Sequence, residues 1–453
     1  MHLLLHQRGC SSLRRGAVKV SSSFLPFVSS FSSRFTAGCL FVCRHHSVAA
    51  VVVGGGPAGI AAVGHLLEQF EQNGNQKKVA WVDPDFRGGR INRKYREVPS
   101  NTTAGLFTAY AQAVKPFREI CEAAPPEKDG VAKLQQLPQD KTCSLYYAGD
   151  MLQVLTDGLL THNRVEAYRG RVTDATWDTE ASKWTVTIKN SGAKQLTSPL
   201  VVLCTGSSPT TVSLPTSTSS QPRLLDLDVA LKPSELAQVL QPSQDPSKPL
   251  TIGVVGASHS AILVLMNLFR LSQTPTHRNL SVKWFARSPN LKYAVPQQNE
   301  DGSTWILYDN TGLKGQAAEF ARAQLDGEAL DSSEAGKVIT RVDCSGGQEA
   351  ERKAFETHLP DCDYVVQAIG FTRDALPTIK FNKHTENELR FDHESGAFRT
   401  DDKTEIPGLY GAGIAFPERV VDPHGNVEYA VGFWKFVRFL KRVVPEWVSK
   451  THN

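Results

Sequence analysis

At 453 residues the chain exceeds one ordinary hydrophobic core and implies two domains or three. Hydrophobic residues at 40%, charged residues at 21%, and Gly 34 with Pro 25 near average usage exclude a disordered or fibrous chain. No apolar run approaches the ~18 residues that a membrane-spanning helix needs, and the net charge of +4 is concentrated at one end.

Residues 1–47 hold no Asp or Glu; the first acid is Glu68. Their charges are Arg8, Arg14, Arg15, Lys19, Arg34 and Arg44, set among serines at 21–23, 29–30 and 32–33. Arg-rich, Ser-rich and acid-free is how an organellar presequence reads, with mitochondria as the expected address and a plastid as the alternative. Leu3 to Leu5 is too short an apolar core for a secretory signal. Without these six basic residues the chain is slightly acidic, which excludes the basic face of a nucleic-acid partner. Beyond them, Cys121, Cys143, Cys204, Cys344 and Cys362 form no Cys-x-x-Cys pair, and no zinc-spaced ligand set exists. Buried thiols and no metal are expected.

Val48 to Val53 is a continuous apolar run, the mark of a strand buried on both faces of a parallel sheet. The turn Gly54-Gly55-Gly56-Pro57-Ala58-Gly59 follows, then a helix from Ile60 to Phe70, then a strand from Lys77 to Asp83. Strand, glycine turn, helix, strand and acid make a complete βαβ unit. Gly54, Gly56 and Gly59 permit the tight turn, the close approach of a pyrophosphate and helix–strand packing, and Asp83 is placed to bind a ribose hydroxyl. Ser100-Asn101-Thr102 precedes a helix expected over 103–117, and capping that helix is one of two readings of the segment, the other being a functional Asn101.

Residues 164–190 alternate as a hairpin meander, with 185–188 the clearest strand. Residues 199–206 form another buried strand, and 207–248 read as a long surface connection around a short helix at 233–240. A second βαβ unit opens at Leu250, with a strand at 251–255, the turn Gly256-Ala257-Ser258-His259-Ser260-Ala261, a helix over 262–271 and a strand over 281–286. Gly256, Ser258 and Ala261 stand where the first turn has its three glycines. Arg287, followed by Ser288, takes the place of the ribose acid; an arginine there accommodates a 2′-phosphate and favours NADPH, against the plainer reading of a surface residue. His259 lies near any bound phosphate or nicotinamide, although a satisfied loop histidine is the plainer reading. A strand over 363–371 and an amphipathic helix over 427–444 complete the chain. That helix, with His424 and Glu428 at its start, carries a basic face that could touch an anionic membrane, although its apolar stripe reads first as core.

Two dinucleotide folds, the first split by the second, resemble the two-dinucleotide-binding-domain flavoproteins. That superfamily comprises the pyridine nucleotide-disulfide oxidoreductases, the flavin-containing monooxygenases and the lysine and ornithine N-hydroxylases. The resemblance implies an α/β fold of two Rossmann-like domains, with the NAD(P)H domain inserted into the FAD domain. The expected boundaries are a presequence at 1–47, FAD domain at 48–206, linker at 207–249, NAD(P)H domain at 250–371 and the rest of the FAD domain at 372–453. FAD is implied on the first turn and NADPH on the second. The crossovers are Cys204-Thr205-Gly206 and Ala368-Ile369-Gly370, and a last flavin contact runs through Gly413 and Ile414. The family's terminal motif usually has Gly-Asp there, so the contact would be through the backbone of residues 411–415. No redox Cys pair and no Phe-x-Gly-x-x-x-His linker fingerprint occurs.

Phe86-Arg-Gly-Gly-Arg90 followed by Ser100-Asn101-Thr102 leans toward the monooxygenases, whose matching Asn lies beside the reactive edge of the flavin. The implied activity is transfer of a hydride from NADPH to the flavin, then of electrons to oxygen or a small acceptor, with Asn101 as the catalytic candidate. The alternatives are a reductase of a small disulfide, quinone or metal-protein acceptor, or a flavin- or nucleotide-binding protein without turnover. The sequence leaves the oligomeric state and the second substrate open.

Overall fold

The computed structural model describes residues 46–451 apart from 191–192, 216–220, 241–248 and 383; most of the expected presequence thus lies outside the described residues. The core of the first fold is a buried parallel sheet. Strand β1 (Ala50–Val53) is followed by helix α1 (Pro57–Gln72) and strand β2 (Val79–Asp83), and β3 (Val201–Leu203) pairs with β1 on its other side. Every residue of β1, β2 and β3 is buried, which is why their sequences are apolar runs rather than alternations. Pro at the first turn of α1 suits a position whose N–H has no intrahelical partner.

The chain then builds a second parallel sheet from β4 (Leu250–Val255), β5 (Leu280–Ala286) and β6 (Tyr364–Gln367), with helix α2 (His259–Ser272) joining β4 to β5. It returns to the first sheet with β7 (Glu405–Gly411), parallel to β3, and ends in helix α3 (Phe433–Lys450), which shares a core with α1. The two crossovers lie side by side: Ser207–Pro209 pairs antiparallel with Phe371–Arg373, and the Asp374 N–H donates to the Gly206 carbonyl at 3.1 Å. Both glycine turns are thereby brought to the same end of the molecule, at the carboxyl ends of their strands.

Several expectations about the elements need correction. His46–Ser47 forms a strand pairing parallel with Leu196 and Thr197, so these two residues of the expected presequence belong to the folded body. Residues 223–240 are not a surface connection: Arg223–Leu224 pairs with β6, and Leu225, Leu227, Leu231, Leu236 and Leu240 are buried in the second core. The helix expected over 103–117 is two helices, Ala104–Ala111 and Lys115–Ala123, the second starting after extended Val114 with Pro116 in its first turn. The last helix begins at Phe433, not 427, because Val427–Ala430 pairs antiparallel with Glu418–Val421 and Gly432 breaks the chain at φ +151°. Its apolar stripe, Phe433 through Val448, is buried in the protein core. Among the described residues no helix is long and apolar enough to cross a membrane. Of the five cysteines beyond residue 47, Cys204, Cys344 and Cys362 are buried as expected, whereas Cys121 and Cys143 are partly exposed.

Candidate functional site

The first glycine turn forms one wall of a cleft of about 400 Å³. Gly54 has φ +114°, and a Cβ there would overlap the Cys204 carbonyl; a Cβ at Gly59 would overlap the carbonyl of Gly54. These two glycines let strand, turn and helix close on one another. Gly56 differs: a Cβ there meets only Gly89 Cα, at 3.9 Å, so its missing side chain leaves open space on the cleft side. Asp83 lines the same cleft with its carboxylate accepting from the N–H groups of Gly55 (2.6 Å), Phe86 (2.7 Å) and Asp85 (3.0 Å). Burial pushes its carboxyl up, against the pull of those N–H donors. The acid therefore braces the turn: Oδ1 accepts from both Asp85 and Phe86, and Oδ2, bonded to Gly55 alone, retains a lone pair for a ligand hydroxyl.

Pro57 lines the cleft too, and its carbonyl accepts from the Tyr110 hydroxyl; Ala58 is buried behind it, where a Cβ on Gly413 (φ +92°) would strike it. Ile414 faces the cleft, 39% exposed, with no acid beside it. Thr205, Gly206 and Ser207 line it as well, and Gly432, Phe433 and Phe436 bring the first turn of α3 to it.

Asn101 also lines the cleft. It sits on a strand, Pro99–Thr103, and is exposed, its amide oxygen accepting from the Thr102 hydroxyl at 3.2 Å. The capping reading is overturned: the following helix has Thr103 at its N-cap, with no side-chain cap bond, and Ser100 is occupied with Thr102.

The second turn borders a separate pocket of about 340 Å³, lined by Gly256, Ser258, Arg287, Ser288, Lys292 and Gly370 among others. It repeats the first in detail. Gly256 has φ +125° against the Ala368 carbonyl, as Gly54 lies against Cys204. The Trp284 indole N–H donates to the Gly256 carbonyl at 2.8 Å, as that of Trp81 does to Gly54 at 2.9 Å. Ala261, buried below the turn, takes the place of Gly59. Arg287 is 77% exposed and pairs through Nε with Glu351 at 2.7 Å, leaving the end of its guanidinium free for the pocket. That pairing raises its pKa further.

His259 and Ser260 line the first cleft, not the second pocket. The satisfied-histidine reading fails: both ring nitrogens are buried without a hydrogen-bond partner. Glu428 is likewise not a first-turn residue of α3. It is a buried strand residue accepting from Asn310 N–H (3.0 Å) and the Thr311 hydroxyl (2.5 Å), which ties the wall of the second pocket to the last part of the chain.

A further network could not be read from the sequence. Arg90, beside the cleft, pairs with buried Asp228 at 2.5 Å and donates to the Tyr95 hydroxyl at 3.0 Å; Tyr95 donates to Asp228 at 2.7 Å. Ser208 reaches Asp374 at 2.6 Å on the same wall. Arg90 lies in the quoted Phe86–Arg90 stretch, but Asp228 is 138 residues away and carries no motif.

These residues fit two dinucleotides. Helices α1, α2 and α3 start at Gly56, Ser258 and Gly432 without a side-chain cap, so their free N–H groups and positive dipole ends are available to anions. Thr205 Oγ and Ser207 Oγ are buried and unpartnered in the first cleft, as expected of groups that a flavin dinucleotide completes. Among the described residues no three metal-ligating side chains cluster.

A family model described as FAD-NAD(P)-binding matches residues 51–208. The chain is 51% identical over 404 residues to Monooxygenase AgnR1 of Paecilomyces divaricatus, covering 88% of this chain and 98% of that protein. In fold it is similar to the ornithine N-hydroxylase of Kutzneria sp. 744, with a TM-score of 0.55 at 13% identity over 90% of this chain and 100% of that one. The flavin-containing monooxygenase of Stenotrophomonas maltophilia gives 0.50 at 14% identity, over 90% and 100%.

Proposed function

Because the chain belongs to the FAD–NAD(P)-binding flavoprotein family that includes Monooxygenase AgnR1, we propose that it is an NADPH-dependent flavin monooxygenase acting on a small molecule. It is an FAD-dependent NAD(P)H oxidoreductase. The observation that carries the finer reading is the position of Asn101, whose carboxamide faces the cleft holding the first glycine turn. When bound, FAD would supply the redox chemistry between NADPH and oxygen.

The chain's own residues bind and orient. Gly54 to Gly56 and the start of α1 receive a pyrophosphate, and Asp83 takes the ribose hydroxyls. The start of α3 directs a positive dipole end into the same cleft, where it favours an anionic ring. Val98, Phe107 and Phe433 present apolar surface there and exclude water. Gly256, Ser258 and the start of α2 receive the phosphates of NADPH, with Arg287 placed for the 2′-phosphate. A thiol relay has no support: Cys204 is the lone cysteine of the cleft, and burial pushes its pKa up to about 12.

Arg287→Ala should narrow the preference for NADPH over NADH. Loss of a charge-assisted bond of about 1.5–3 kcal/mol corresponds to roughly 10- to 100-fold in the ratio of kcat/KM values. An unchanged ratio in steady-state assays makes Arg287 a surface partner of Glu351 and nothing more.

Asn101→Asp should keep its FAD and its rate of flavin reduction by NADPH, yet release more hydrogen peroxide per NADPH consumed. The substitution removes a donor and adds a negative charge where oxygen chemistry needs a donor. Loss of such a donor costs about 2.7–4 kcal/mol in comparable sites. Peroxide release equal to wild type contradicts the role.

For residues 1–47 the proposal is import into mitochondria, supported by their arginines, their serines and the absence of acid. A fluorescent reporter carrying this segment should enter mitochondria. Diffuse cytosolic or secreted fluorescence contradicts it.

A further inference from the structure

The second glycine turn is a wall shared by two cavities. Gly256, Ala257 and Ser258 line the NADPH pocket, and the next two residues, His259 and Ser260, line the flavin cleft. Seven buried side-chain polar atoms among the described residues lack a hydrogen-bond partner, and four of them belong to Thr205, Ser207 and His259, all on this cleft. His259 holds two of the four. A neutral imidazole carries one donor and one acceptor, and leaving both unpaired away from water is costly. Its place as the first residue of α2 puts it beside the uncapped helix start that receives the dinucleotide.

Resting on the flavoprotein reading above, we propose that His259 is a positioning residue that couples the two cofactor sites: its ring lies in the first cleft, one residue from the wall of the second pocket, and its two unpaired nitrogens would be completed by the bound dinucleotides. Occupancy of each site then strengthens the other through one side chain. Burial, aided by nearby Lys314, lowers the imidazole pKa to about 4. The ring is therefore neutral at working pH and serves as donor and acceptor at once, which a cation cannot do. Lys314 is itself paired with Asp309.

The test is retention of FAD by the holoenzyme, read as recovery of free-flavin fluorescence on dilution, with and without saturating NADP+. In wild type NADP+ should slow FAD release by about tenfold, within the usual range of coupling between sites. His259→Phe keeps an aromatic ring without polar atoms and should abolish that protection, although NADP+ still binds the holoenzyme by calorimetry. His259→Gln, with a donor and an acceptor, should restore most of it. Equal protection in wild type and His259→Phe overturns the proposal, as does a wild type that NADP+ fails to protect. A wild type that holds no FAD at all instead overturns the flavoprotein reading.

Discussion

Gly56→Val purifies as a folded and colourless protein. The two properties together make the prediction specific. The Cβ direction at Gly56 is open in the protein, with Gly89 Cα at 3.9 Å, and its backbone (φ −83°, ψ −176°) is extended and accessible to any residue. The fold therefore tolerates a side chain there. The space it fills is the one a pyrophosphate must enter to reach the N–H groups of α1. Losing two or more charge-assisted bonds of about 1.5–3 kcal/mol each weakens FAD binding by about 100-fold or more. Circular dichroism and a thermal melt should match those of flavin-free wild type, while the absorbance spectrum shows no flavin. A yellow Gly56→Val with wild-type affinity places the flavin elsewhere. Gly56→Ala, with a single added carbon, should show a smaller loss of the same kind.

Three positions along the same turn, substitution has the opposite consequence. Gly59→Ala should destabilise the protein whether or not FAD is present. In an exposed helix this change gains about 1 kcal/mol. Here the added carbon overlaps the carbonyl of Gly54, a backbone atom of the turn that cannot rotate away. Overpacking costs about 1–3 kcal/mol, and against a backbone atom that cannot yield it falls at the upper end, so the net change is a loss, read as a lower midpoint in urea with an unchanged slope. A Gly59→Ala protein as stable as wild type would mean that α1 slides along β1 more freely than its packing allows. The pair of variants separates the two functions of a single glycine motif, ligand approach at Gly56 and chain closure at Gly59.

The parts of the fold legible in the sequence are those whose signal is local. The strands of the first βαβ unit and the first strand of the second are buried on both faces, so they read as apolar runs, and the turns between strand and helix need glycine at stated backbone angles. What stayed hidden depends on partners far along the chain. Arg223–Leu224 is a strand only because β6 offers an edge to it, and its Ser- and Pro-rich flanks read as loop. Val427–Ala430 alternates like a strand but runs into a strong amphipathic helix, and the helical signal absorbs it unless Gly432 is taken as a break. The tryptophans Trp81 and Trp284, each hydrogen-bonded to the first glycine of its turn, lie 27 and 28 residues beyond those glycines and mark the internal repeat.

The site divides in the same way. Gly54, Gly56 and Asp83 announce themselves because a recurring motif fixes their geometry. Asn101 was named from the sequence, but its freedom from a capping role follows from where the helix starts, at Ala104. The unpaired state of His259 is a property of every neighbour around it and has no sequence signature. Asp228 joins Arg90 and Tyr95 only through the path of the connecting segment across the second core.

The central claim is that the two cavities hold FAD and NADPH in one redox path. It is tested most directly by mixing the purified protein with NADPH in the absence of oxygen and then admitting air. The account predicts a yellow protein whose flavin absorbance bleaches with NADPH and returns with oxygen. A protein that binds flavin but is never bleached by NADPH, or one that cannot be loaded with flavin, contradicts it.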